Sequence, residues 1–314
     1  MKYIEYINGL IQKEIARHPV VAFGQNITRG SCLGGMTRDI EPKAPGIAIN
    51  STNAESTLTG VGFGLMLEEK SGIFFMKQLD FLLLGIDQLV NTYNNIRSAS
   101  DQKQLGSFTI MPIIVDSGYQ GPQSSFNNFA DFCTIARIRG YTITNPYDAE
   151  RIIPKYLVRS GLRIITVSQR LFREEVVPVP KPVAISKEDT VFQYQEGSNV
   201  TVVSCNFALP HALTLVQMLE KKGISVAFFN INSPAEFDAD MIIKSTEATK
   251  RMVVLDDSKS DNLPGNVLLA HPKLAHLSLR LHHTREHRKN WLHPVSDEFV
   301  VPYDDIVEKV WKSL

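Results

Sequence analysis

One carboxylate stands apart in the first third of the chain. Glu55 is the only charged residue between Ser51 and Leu67, and it follows Ile47-Ala48-Ile49-Asn50, a short apolar run with the pattern of a strand. In an open α/β sheet, ligands bind outside the carboxyl ends of the strands, which is where Glu55 falls. A carboxyl flanked by apolar and small residues has its charged form disfavoured, and a raised pKa suits a general acid or base. The same residue at a helix start also complements the helix dipole. Composition alone favours that plainer role.

The histidines form a second constellation. His18 is the only one before residue 205, and seven follow it. His282, His283, His287 and His293 lie among Arg280, Arg285, Arg288 and Lys289. The His-His-x3-His spacing imitates metal ligation, but only Glu286 accompanies it as an acidic ligand and the cations would repel a metal. A solvated or anion-contacting surface, or an interface, is the better expectation. No GxxxxGK[ST] phosphate loop, GxGxxG turn, GxSxG elbow or HExxH helix occurs anywhere in the chain.

The elements that would position Glu55 follow from periodicity. Ile4, Ile7, Ile11 and Ile15 mark one face of a first helix. Strands are expected at Val20–Gly24, Ile47–Asn50, Gly72–Met76, Ile110–Val115, Tyr141–Thr144 and Ile164–Val167. Helices are expected between them at Thr57–Met66, Asp80–Tyr93, Phe126–Arg137 and Asp148–Ser160, with Pro154 kinking the last. Leu83, Ile86, Leu89 and Val90 would form the buried side of the Asp80 helix. Gly60, Gly62 and Gly64 suit a helix packed closely on neighbouring backbone. Such alternation means crossover units and a parallel sheet covered on both faces. Val177-Pro178-Val179-Pro180-Lys181-Pro182 lies in an extended, proline-stiffened connector. Beyond it the alternation resumes, with strands at Asn199–Cys205, Val226–Asn230, Met252–Leu255 and Leu277–Leu281. The helices of this second region are expected at Pro210–Lys222, Asp238–Lys250, Gly265–His271 and Tyr303–Lys312. The reading is an α/β chain of two doubly wound domains, at 1–175 and 190–314, with a linker at 176–189.

Composition narrows the function. The 314 residues hold 33 Lys plus Arg and 33 Asp plus Glu, a net charge of zero. That balance supplies no positive field for nucleic acid or an anionic membrane surface. No apolar run approaches the roughly 18 residues of a membrane span, and Lys2, Glu5, Lys13 and Glu14 interrupt any export signal. Cys32, Cys133 and Cys205 make neither a disulfide framework nor a CxxC pattern, as expected of reduced thiols in a cytoplasm.

Several strings in register carry a resemblance. Thr52-Asn53-Ala54-Glu55-Ser56-Thr57-Leu58-Thr59-Gly60 resembles the segment bearing the cofactor-activating glutamate of thiamine diphosphate enzymes. The similarity is to the beta subunits of 2-oxo acid dehydrogenase first components and to the C-terminal half of transketolase. Val21-Ala22-Phe23-Gly24, Leu79-Asp80-Phe81-Leu82 before Asp87-Gln88-Leu89-Val90-Asn91, Gly121-Pro122 with Ser125, and Asn145-Pro146-Tyr147-Asp148-Ala149 agree in order. Val200–Ala208 and Gly223-Ile224-Ser225-Val226 extend the match into the second domain. The resemblance implies a pyrimidine-binding domain followed by a transketolase-type C-terminal domain. It makes Glu55 the carboxyl that hydrogen-bonds the pyrimidine nitrogen in a dry pocket, Phe81 the ring packed on the pyrimidine, and Asn53 a further cofactor contact. Gln25, Gln78 and Ser124 would line the substrate side, and no metal ligand is assigned to this chain.

Departures from the family pattern matter as much. Where relatives carry a histidine after Gly-Pro-x, this chain reads Gln123-Ser124, and Ser124 is no acid or base near neutral pH. The acidic pair after Phe-Gly is Gln25-Asn26. No Gly-Asp-Gly motif, which in the family holds the diphosphate and Mg2+, occurs. The resemblance therefore implies an alpha-type partner supplying that motif, an α2β2 assembly with a beta–beta contact, and a small-molecule 2-oxo acid or ketose donor cleaved to an acyl-anion equivalent. The alternative, motivated by Ser124, is a non-catalytic scaffold or regulatory subunit of such a complex.

Overall fold

The computed structural model describes residues 1–99, 105–116, 127–260, 263–285 and 299–314. By internal contacts the chain divides into two units. The first holds Met1–Asp116 and Phe132–Val177. The second holds Pro178–Leu314 and, among the earlier described residues, 127–131. No helix among the described residues is long and apolar enough to cross a membrane.

In the first unit, helix α1 (Tyr3–Ile15) buries Ile4, Ile7, Ile11 and Ile15, the face set by their three- and four-residue spacing. Six strands follow: β1 (Val20–Gly24), β2 (Ile47–Asn50), β3 (Ser71–Met76), β4 (Ser107–Ile114), β5 (Gly140–Thr142) and β6 (Gly161–Ser168). They pair entirely in parallel in the order β2-β1-β3-β4-β6-β5. Helices α2 (Glu55–Leu67), α3 (Tyr93–Ala99), α4 (Phe129–Ala136) and α5 (Pro146–Tyr156) connect them. The Asn-Pro-Tyr-Asp string is a helix start. Asn145 accepts from the amides of Tyr147 and Asp148, Asp148 reaches back to the Asn145 amide, and Pro146 sits where its missing N–H costs nothing.

The expected single helix over Asp80–Tyr93 is not what forms. A 3-10 segment covers Leu79–Gly85, a π-type turn covers Gln88–Thr92, and only then does α3 begin. The three-residue repeat of a 3-10 segment places Leu79, Leu82 and Gly85 on one face, and all three are buried. Leu83, expected inside, is 57% exposed, and Leu84 is 66% exposed. The tight packing of Gly85 explains the change: a Cβ there would lie 2.7 Å from Thr59 Oγ1 and 3.3 Å from the Glu55 carbonyl oxygen.

Aromatic packing sets the depth of α2. The ring of Phe23 stacks on Phe74 at 5.3 Å, and Phe108 meets Phe63 edge-on at 5.2 Å. Gly62 of α2 lies over Phe108, where an added Cβ would come within 2.1 Å of ring carbons.

The second unit contains β7 (Ala184–Ile185), β8 (Val191–Gln195), β9 (Val200–Cys205), β10 (Val226–Ile231), β11 (Arg251–Asp256) and β12 (Leu279–Thr284), ordered β12-β11-β9-β10-β8-β7. Four strands are parallel, while β8 pairs antiparallel with both β10 and β7. The two antiparallel strands were not expected, since β7 falls within residues read as connector. Helices α6 (Leu209–Lys221), α7 (Asp240–Thr249), α8 (Pro264–Leu269) and α9 (Tyr303–Lys312) complete it. Asn127 belongs here: it bridges to Ser258, and its carbonyl accepts the Lys259 amide at 2.6 Å.

Two neighbouring glycines separate packing from propensity. Gly62→Ala is expected to destabilise the isolated chain by about 1–3 kcal/mol through overpacking, despite alanine's better helix propensity. Gly64→Ala, with nothing within 4 Å of its Cβ position, is expected to leave the chain as stable or slightly more so. Urea midpoints of the two variants check this.

Candidate functional site

A cleft open to solvent lies at the carboxyl ends of β1, β2 and β3. Strands β1 and β3 are adjacent with β2 outside them, the arrangement whose reversal point in open α/β sheets forms a ligand crevice. Gln25, Thr52, Asn53, Glu55, Leu58, the β3 end Phe74–Lys77 and Phe81 line it.

Local contacts put each side chain there. Gly24 has φ +150, and a Cβ on it would fall 2.1 Å from the Phe75 carbonyl oxygen. Only glycine permits that approach of β1 to β3, and Gln25 follows it directly. The loop after β1 is tied to the end of β2, since the Thr28 amide donates to Asn50 Oδ1 at 3.1 Å and Asn50 Nδ2 donates to Thr28 Oγ1 at 2.6 Å. Glu55 is the first residue of α2. The same 3-10 repeat that buries Leu79 and Leu82 leaves Phe81 half-buried on the cleft.

The structure thus brings Gln25, Asn53, Glu55 and Phe81 into one cleft. Gln78 is half-buried between β3 and the 3-10 segment, outside that lining. Ser124 lies outside the described residues. Glu55 is half-buried, so the described residues alone do not enclose the dry pocket expected around it. Its carboxylate makes no hydrogen bond or ion pair among the described residues, and neither do the side chains of Gln25, Thr52, Asn53 and Lys77. A free carboxylate and an aromatic ring lining one cleft can share a proton with a flat heteroaromatic ligand and stack it. Lys77 went unnoticed in the sequence, where Thr52 and Leu58 stood only as part of the string around Glu55. The signal for Lys77 was its place as the first polar residue after the apolar run of β3.

Of the histidine cluster, His287 and His293 lie outside the described residues. His282 and His283 sit on β12 and are half-buried rather than solvated. His282 packs on Gly265, whose Cβ position would be 2.4 Å from Nε2. His283 tilts against Phe299 at 5.3 Å, and His211 Nδ1 pairs with the Tyr303 hydroxyl at 2.8 Å. No group of three or more His, Cys, Asp or Glu among the described residues is placed to hold a metal ion. Burial, aided by the charge of His283 and opposed by Asp256, lowers the His282 pKa. Burial and Asp256 raise the Cys205 thiol, which is therefore a packing residue rather than a nucleophile.

Fold and cleft together define a two-domain α/β chain with a transketolase-like fold. Residues 190–262 match the transketolase C-terminal domain. The chain is 25% identical to the 2-oxoisovalerate dehydrogenase subunit beta of Bacillus subtilis, over 85% of this chain and 83% of that one. It is 22% identical to a pyruvate dehydrogenase E1 component subunit beta of Staphylococcus aureus, over 100% of this chain and 98% of the relative. A solved split gene transketolase, described as an inactive beta4 tetramer, shares the fold with a TM-score of 0.69 at 16% identity, over 99% of this chain and 97% of that one. A transketolase of Campylobacter jejuni gives a TM-score of 0.67 at 9% identity, over 98% of this chain and 44% of that longer one. The chain is thus similar over its whole length to beta subunits of 2-oxo acid dehydrogenase first components, and its fold is that of a transketolase half.

The His282 shift has a stability consequence. The folded chain favours neutral His282, so the unfolded chain binds more protons as pH falls below the usual 6.5. Stability contributed by this group is present above that value and is lost below it. Urea unfolding from neutral to mildly acidic pH is expected to show a shallower loss for His282→Gln than for the wild type. Parallel curves would contradict it.

Proposed function

We propose that this chain is the pyrimidine-binding, beta-type subunit of a two-chain, cytoplasmic thiamine diphosphate enzyme. It would cleave a 2-oxo acid or ketose donor and transfer the acyl-anion equivalent. The observation that carries the reading is the unpartnered Glu55 carboxylate on a cleft that also presents Phe81. An aminopyrimidine fits that pair, having a ring nitrogen for the carboxyl and a flat face for the phenyl ring. When bound, thiamine diphosphate supplies the carbanion-stabilising thiazolium chemistry. Glu55 holds and shares the proton at the pyrimidine nitrogen. Phe81 fixes the plane of the ring, and Asn53 offers an amide to its edge. Gln25 presents an uncharged donor and acceptor on the substrate side, where Gln78 and Ser124 join it in this proposal.

The diphosphate and Mg2+ fall to an alpha-type partner bearing Gly-Asp-Gly. Two surfaces support a partner. Helix α2 is apolar over most of its length yet exposes Thr57, Val61, Gly64 and Leu67, and an apolar helix normally has all its faces covered. The edge strand β2 leaves Ile47 52% and Ile49 43% exposed. Covering these faces in an α2β2 assembly with a beta–beta contact would also exclude water from Glu55. Ser124 in place of a family histidine favours a non-catalytic scaffold, whereas the unpartnered Glu55 beside Phe81 favours catalysis.

Glu55→Gln keeps the size of the side chain and removes the titrating proton. In the complex with the alpha-type partner, decarboxylation followed with an artificial electron acceptor is expected to fall by about 10²–10⁴-fold, with assembly and cofactor content unchanged. Unchanged turnover would sink the assignment, and wild-type silence across a broad panel of 2-oxo acids and ketoses would favour the scaffold.

A further inference from the structure

We propose that Lys77 is a specificity residue that binds an oxyanion substituent of the substrate, away from the reacting carbonyl. The inference rests on the proposed function and deepens it. Lys77 follows the last residue of β3 and lines the same cleft as Glu55. Among the described lining residues these are the only charged side chains, and they form no ion pair with each other or with any described residue. Lysines on convex surfaces are commonly just solvated. Lys77 is itself exposed, but it lines a concavity whose other polar groups, Gln25, Thr52 and Asn53, also make no hydrogen bond or ion pair among the described residues.

Charge accounting points to an anion. Once Glu55 shares its proton with a pyrimidine nitrogen, it is engaged by the cofactor and Lys77 is left uncompensated. Covering the cleft with a second chain strengthens that imbalance, because a desolvated, unpaired ammonium is costly. A negative group on the substrate removes the imbalance. It is not the carboxylate lost as CO2, because a salt bridge to that group would stabilise the ground state and oppose its departure. It is an oxyanion that persists through the reaction. Lysine is a compact point charge without the fork geometry that selects one planar anion, so a carboxylate and a phosphate both satisfy it.

Two measurements test this. In the full-length chain with isotope-labelled lysines, the Lys77 resonance is identified by its loss in Lys77→Gln. It is titrated with inorganic phosphate, with glutarate and with neutral 1,5-pentanediol at constant ionic strength. A saturable shift with one or both anions and none with the diol is expected. Response to phosphate alone indicates a phosphorylated substrate, and response to glutarate alone a dicarboxylic one. Shifts no larger than those of other lysines overturn the proposal. This measurement needs neither cofactor nor partner, so it stands even if the thiamine diphosphate reading fails. In the assembled complex, Lys77→Gln is expected to raise KM about tenfold for substrates with a second oxyanion. KM for those without one, and affinity for thiamine diphosphate, should change less than about twofold. Weaker cofactor affinity instead would overturn the proposal and make Lys77 a diphosphate ligand.

Discussion

The position of Glu55 depends on how closely helix α2 approaches the sheet, and one contact sets that distance. The backbone at Gly62 lies directly over the ring of Phe108, leaving no room for a Cβ. Phe108 is itself fully buried and held by Phe23 and Phe63, so it has nowhere to move in a close-packed interior. Seven residues before this anchor, α2 begins with Glu55. Two further close approaches build the rest of the cleft around it. Gly85 seats the 3-10 segment against the Thr59 hydroxyl and the Glu55 carbonyl, and Gly24 lets β1 pass against the Phe75 carbonyl. Three missing side chains thus bring Glu55, Phe81 and Gln25 to one place.

Much of this was legible in the sequence because it rests on local periodicity. The isoleucine spacing of α1, the strand runs and the Asn145 helix start all follow from short-range rules, and both sheets were readable as doubly wound. The failures have physical causes. Between Leu79 and Thr92 a 3.6-residue repeat placed Leu83 inside, whereas the close seat of Gly85 imposes a three-residue repeat that places Leu79 and Leu82 there. Strand β7 lies within a proline-rich stretch that reads as a connector, and its pairing with β8 is a tertiary effect. His282 and His283 read as a solvated or anion-contacting surface or an interface, and they prove half-buried on a strand where His282 packs on Gly265 of α8 and His283 on Phe299. The roles of Phe81 and Asn53 came from family resemblance rather than from their own chemistry. Lys77 carried no motif, and its place in the cleft appears only once β1, β2 and β3 are aligned.

The cleft combines features that the described residues do not complete. Among them a carboxylate, an ammonium and three neutral polar side chains have no protein partner, and the cleft they line is open, with Glu55 only half-buried. The faces beside it, on α2 and on the edge strand β2, leave apolar side chains in water. Exposed apolar side chains grouped on an element's face are a signature of an interaction surface. Covering it and enclosing Glu55 are one event in the proposed assembly, so association and activation of the carboxyl would be coupled by geometry.

The most direct test is the thiamine diphosphate and Mg2+ content of this chain purified alone and after co-expression with an alpha-type chain bearing Gly-Asp-Gly. The account predicts no retained cofactor on the single chain and about one per heterodimer in the pair, as the two half-sites close on each other. Tight binding by this chain alone, or no uptake by the assembled pair, would contradict it.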